Sequence, residues 1–219
     1  MIPLRDVIPS RTFPFVTIAI IALNALAWFM ELSLEPQDLE RALSVYGVVP
    51  ANFHIPTLFT SMFLHGSWSH ILGNMWYLWI FGDNVEDQFG HFRYVVFYVL
   101  CGTLAGLGHI LLNSGSFLPT IGASGAIAGV MGAYFVMYPQ SRVLTLVPIF
   151  FYDIIEVPAI ALLGFWFLMQ LFSAGAVATA TSGTGGGVAF AAHVAGFLVG
   201  MGGVFVFRKR DVRWDLDRD

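Results

Sequence analysis

A serine hydroxyl becomes a nucleophile when a histidine within hydrogen-bond reach takes its proton. The oxyanion formed on attack at a peptide carbonyl then needs donors already in place. Three stretches of this chain hold those residue types. HGSWSHILGNMWYLW (65–79) carries His70 and Asn74 four residues apart, on one helix face; GASG (122–125) carries Ser124; AAHVAGFLVG (191–200) carries His193. Ser124 is the candidate nucleophile and His193 its base, while the Asn74 amide, a ring N–H of His70 and the Ser124 backbone N–H are candidate oxyanion donors. Each also has a plainer reading: small-residue packing for Ser124, a satisfied interior imidazole for either histidine, an interhelical hydrogen bond for Asn74.

The elements that must position them are set by composition. Of 219 residues, 57% are hydrophobic and only 11% are Asp, Glu, Lys or Arg, against about 25% charged residues in a soluble domain. The apolar residues gather in uncharged runs, which excludes a soluble fold and indicates a polytopic, all-α membrane protein. Six spans are expected near 13–32, 67–83, 92–112, 121–138, 154–172 and 188–207, making one domain over 1–219. Strands are not expected, since the runs lack period-two alternation. The run from Phe13 to Met30 is too long for a cleavable signal sequence and reads as a retained first span. Nine of the ten Lys and Arg residues fall on one side of this arrangement, Arg41 alone on the other, so both termini are expected in the cytoplasm.

Depth then links the three stretches. His70 and Ser124 each stand three residues into spans two and four, and His193 five into span six. At about 1.5 Å per residue, all lie within roughly 8 Å of the outer helix ends. Independent packing roles would scatter them; one site would not. Gly125, Gly129 and Gly132 in span four, and Gly196, Gly200 and Gly203 in span six, allow close helix approach, and His193 shares a face with Gly196 and Gly200. No carboxylate lies at the matching depth in the spans, so a Ser–His dyad without an acidic third member is expected.

The outer segment 33–66 contains Leu39, Ala42, Leu43 and Tyr46 at helical spacing among charges, suggesting a short interfacial helix. The other long outer segment, 173–187, is uncharged Ala, Ser, Thr and Gly and reads as a mobile connection. The single cysteine, Cys101, lies in an apolar run and reads as an inert buried thiol.

The stretches HGSWSHILGNMWYLWIFGDNVED, GASGAIAG and GGGVAFAAHVAGFLVG together resemble the rhomboid intramembrane serine proteases, in the right order and over essentially the whole chain. The resemblance implies a six-helix fold, Ser124 as nucleophile, His193 as base, and His70 and Asn74 as oxyanion-stabilising residues. It implies a structural role for His65 and a fold-supporting role for Glu86. The implied activity is an endopeptidase that cuts single-pass membrane proteins near the outer membrane boundary through an acyl-enzyme, favouring a small residue before the scissile bond. The implied setting is a prokaryotic cell membrane. Segment 173–187 would match the family's cap loop, and span five a lateral gate. Some members stack an aromatic ring on the catalytic histidine from one turn after the serine, a position held here by Ala128.

The bilayer and single-pass substrates are the expected partners, with no nucleic acid, cofactor or metal. The sequence lacks HExxH for a metalloprotease and GxGD for an aspartyl intramembrane protease. The alternative function is an inactive relative that binds or escorts membrane proteins.

Overall fold

The computed structural model describes residues 1–148, 152–179 and 189–209. Its helices are α1 (Phe15–Leu32), α2 (Pro36–Tyr46), α3 (Thr57–Thr60), α4 (Trp68–Phe89), α5 (His91–Leu112), α6 (Ser124–Met137), α7 (Ala159–Thr179) and α8 (Phe190–Phe207). The protein is a mostly helical polytopic membrane protein. Four helices, α1, α5, α7 and α8, are each long and apolar enough to cross a membrane. The helix α4 is more polar, carrying His70, Asn74, Asp83, Asn84, Glu86 and Asp87. With 14 residues, α6 is about 21 Å long. That is shorter than an apolar core of ~30 Å.

α6 is the hub. Eleven of its residues are buried, on every side of the helix, and it packs against α8, α5 and α4. Glycine makes the tightest contact possible. A Cβ built on Gly196 would overlap the Gly125 carbonyl, and one on Gly200 would overlap the backbone of Gly129. The α6 and α8 backbones therefore touch directly along the face expected from the glycine spacing. Lipid gives helices no hydrophobic reason to associate, so this intimate packing is what holds α8 in place. Outward faces stay apolar and exposed, as with Leu26 and Phe29 on α1, Phe165 and Leu168 on α7, and Phe205 on α8.

At the end of the bundle away from Ser124, acidic side chains of α4 hold the start of α1. Glu86, buried, accepts from the Val16 N–H at 2.9 Å, the Thr17 N–H at 2.8 Å, the Thr17 hydroxyl at 2.8 Å and His91 Nδ1 at 2.6 Å. Asp87 accepts from the Arg11 and Thr12 N–H groups at 2.6 and 2.9 Å. A carboxylate at a helix N-terminus meets the positive end of the helix dipole as well as unpaired donors.

The same end carries a feature absent from the sequence reading, an antiparallel three-stranded sheet of β1 (Ile2–Asp6), β2 (Arg142–Pro148) and β3 (Tyr152–Pro158), in the order β1-β2-β3. Arg142 pairs with Pro158 and Leu146 with Ile154, while Ile2 pairs with Leu146. Val143, Thr145 and Val147 are buried in strict alternation, placing three β-branched side chains on one face. Asp6 accepts a 2.8 Å hydrogen bond from the Tyr134 hydroxyl, tying β1 to α6. Burial lifts the Asp6 carboxyl to about 6, against the pull of that bond.

Three expected boundaries change, the first being the end of the second expected span, since α4 runs to Phe89 rather than 83. The fifth helix starts at Ala159 rather than 154, because Tyr152–Pro158 is strand. It also runs to Thr179, so the first part of the supposed mobile connection 173–187 is helix; residues 180–188 lie outside the described residues, as does the basic tail from Arg210. The amphipathic helix expected in 33–66 is α2.

Candidate active site

The serine begins its helix. Ser124 is the first residue of α6, preceded by Ala123, which offers no side-chain cap, and the first intrahelical bond runs from the Ile127 N–H to the Ala123 carbonyl. The N–H groups of Ser124, Gly125 and Ala126 thus belong to the first turn, whose donors have no helical partner. Gly122 leads in with φ of 118°, a conformation that favours glycine, and a Cβ there would stand 2.7 Å from His70 Nε2. The first glycine of GASG is needed on both counts.

His193 arrives from α8 through the Gly196–Gly125 contact one turn further on. Its Nε2 lies 2.7 Å from Ser124 Oγ, and its Nδ1 lies 2.7 Å from Gln170 Oε1 on α7. The Trp166 ring, one turn from Gln170, lies over the imidazole with centroids 5.9 Å apart and planes 35° apart. Ala128 is fully buried and brings no ring, so the aromatic neighbour comes from α7 instead of α6.

The oxyanion candidates stand opposite on α4. The Gly66 N–H approaches His70 Nδ1 at 3.5 Å, which leaves Nε2–H as the donor on the side facing Gly122. Asn74, buried, directs Nδ2 to His65 Nε2 at 3.0 Å. His65 can accept there because its Nδ1–H has the Phe63 carbonyl at 3.3 Å. One Asn74 N–H is thereby fixed, and the amide plane with it, leaving the second N–H for the cavity. Burial, helped by the neighbouring His70, holds the His65 ring down to about 4, so it stays neutral and keeps its accepting lone pair near neutral pH. The buried Glu31 carboxylate of α1 accepts from the His65 N–H at 3.2 Å and pins the segment.

Ser124, His193, His70 and Asn74 all line one cavity of about 270 Å³, along with Tyr77, Ile127, Met131 and Trp166. All four residues picked from the sequence are therefore together. A larger cavity of about 560 Å³, between β1, α1 and α4, has Arg5, Asp6, Ser10 and Asp83 on its wall but no histidine.

A family model described as the Rhomboid domain matches residues 52–210, well over half the chain and all three of these motifs. The chain belongs to the rhomboid family. Relatives of this rhomboid include "Putative rhomboid protease YdcA" of Bacillus subtilis (strain 168), 31% identical over 129 residues, covering 58% of this chain and 64% of that one. It is also similar to "Rhomboid-like protein 11, chloroplastic" of Arabidopsis thaliana, 28% identical over 175 residues, covering 77% and 57%. A third similarity is to "Presenilin-associated rhomboid-like protein, mitochondrial" of Mus musculus, 30% identical over 93 residues, covering 41% and 25%. The matches thus span less than two thirds of these relatives' own lengths.

Sequence reasoning missed Gln170 and Trp166 in this rhomboid, and it read His65 only as structural. Gln170 carried a usable signal. It is an amide two residues from the outer end of the expected fifth span, near the depth that had linked His70, Ser124 and His193.

Proposed function

We propose that the protein is an intramembrane serine endopeptidase working through a Ser124–His193 dyad. The 2.7 Å approach of His193 Nε2 to Ser124 Oγ, inside a cavity lined by His70 and Asn74, carries this reading. Ser124 Oγ attacks the carbonyl carbon of a peptide bond as its proton passes to Nε2. The oxyanion meets the backbone N–H of Ser124, the free N–H of Asn74 and Nε2–H of His70. Collapse expels the amine, which takes the proton from His193, and leaves an acyl-enzyme on Ser124. Water, deprotonated by His193, then releases the acid.

The substrates, as the family resemblance implies, are single-pass membrane proteins, whose apolar segment can approach a site inside an apolar bundle from the bilayer. The bias of basic residues supports cytoplasmic termini and a site toward the outer face, and the family resemblance supports a prokaryotic cell membrane as its setting. Purified protein in proteoliposomes with a single-pass reporter is expected to cut inside, or just outside, the outer third of the reporter's apolar segment, as mapped by mass spectrometry. Cutting only in a soluble loop far from the membrane would overturn the reading.

Asn74→Ala is expected to lower kcat by on the order of 10²-fold or less, since it removes one donor of several. His65→Leu, which frees the amide to rotate, is expected to lower kcat in the same direction with KM little changed. Unchanged kcat in both variants would take Asn74 out of the oxyanion site.

A further inference from the structure

A serine proton can pass to Nε2 of an imidazole only if the ring's other nitrogen already carries the hydrogen. In a solvent-poor bundle that Nδ1–H needs an acceptor, or the ring turns to find one. Among Ser–His sites this acceptor is often a carboxylate, and among the described residues none of the contacts to His193 comes from one. What faces Nδ1 is the amide oxygen of Gln170, 2.7 Å away, from the middle of α7. Trp166, one turn earlier on the same face, closes the side of the ring. Phe190 meets it edge-on with centroids 6.5 Å apart.

We infer that Gln170 is the positioning residue of the dyad: its Oε1 accepts from His193 Nδ1, selects the tautomer whose Nε2 is free to take the Ser124 proton, and fixes the plane of the ring. The inference rests on the proteolytic reading above. A neutral acceptor suits the setting. A carboxylate in its place would demand desolvation of a full charge, whereas an amide orients the ring and leaves the dyad uncharged until the proton moves. Trp166 complements it, since an aromatic ring whose centroid lies 5.9 Å from the imidazole favours the imidazolium that forms in the transition state. The arrangement puts the base on α8 and its orienting group on α7. Of the long apolar helices, α7 buries the smallest share of its residues. His193 is consequently held in this orientation only while α7 is docked.

The test compares Gln170→Met, which keeps length and apolar packing but has no acceptor, with Gln170→Glu, which keeps the acceptor at the cost of a charge. The readouts are kcat and KM on a membrane reporter, the rate at which a small fluorophosphonate labels Ser124, and thermal unfolding in detergent. Gln170→Met is expected to unfold like the wild type, to lose about 10- to 100-fold in both kcat and labelling rate, and to keep KM within about twofold. Gln170→Glu is expected to recover most of that loss. A role in packing alone predicts the reverse order, with Met active and Glu impaired, and that result overturns the inference. If Gln170→Glu does not fold, a Gln170→Met variant that folds and labels at the wild-type rate overturns it as well. Wild-type protein that folds but never takes label at Ser124 would overturn the proteolytic reading itself, and this inference with it, which separates the two failures.

Discussion

His193→Ala is expected to reduce cleavage of a membrane reporter to background, a loss on the order of 10⁴-fold or more, while leaving the fold intact. The imidazole is the one base in contact with Ser124 Oγ among the described residues, and the amide of Gln170 cannot replace it. Without a proton acceptor the hydroxyl stays a weak nucleophile, and the leaving amine also loses its acid. The fold should persist because α8 is held by backbone contact at Gly196 and Gly200, not through the imidazole. Groups acting as one unit are not additive, so the Ser124→Ala/His193→Ala double variant should be no slower than either single variant. Single-turnover cleavage in proteoliposomes, with thermal unfolding alongside, checks both statements. A folded His193→Ala protein with near-wild-type turnover would exclude the dyad.

Gly200→Val is expected to have the largest effect on stability. A Cβ at Gly200 would overlap the Gly129 carbonyl carbon at 2.5 Å and Cα at 2.6 Å, and backbone cannot swing aside as a side chain does. The helices must separate, at a cost of about 3 kcal/mol or more. Activity should fall further than the folded fraction accounts for, because a shift on the order of 1 Å between α6 and α8 breaks the serine–histidine contact. Gly202→Ala is the control. Nothing lies within 4 Å of a Cβ there, so its unfolding temperature should match the wild type or exceed it slightly. Equal unfolding temperatures for Gly200→Val and Gly202→Ala would show that close α6–α8 contact is not what holds the bundle.

Much of the site was legible because its signals are local. Three polar residues at one depth, with Asn74 one turn beyond His70, and glycines spaced about a turn apart need only the helix rise and repeat to be interpreted. What escaped depends on contacts between distant segments. β1 is a five-residue stretch whose partner lies some 140 residues away, and no periodicity in residues 2–6 announces that pairing. β2 did carry a signal, the alternating Val143, Thr145 and Val147, between the expected fourth and fifth spans. Gln170 was visible as an amide in a span, but its meaning depends on which face of α7 turns toward α8. The position of Ala128 indicated only that an aromatic neighbour of His193 was missing from α6. That α7 supplies one, as Trp166, follows from the packing.

The central claim is that Ser124 forms a covalent intermediate, and trapping it is the most direct measurement. Wild-type protein in detergent or proteoliposomes is treated with a fluorophosphonate, digested and sequenced by mass spectrometry, with reporter cleavage followed in parallel. A single adduct on Ser124 is expected, with loss of cleavage in step with labelling, and neither adduct nor cleavage in a folded Ser124→Ala variant. Reporter cleavage at the wild-type rate by folded Ser124→Ala protein would contradict the claim.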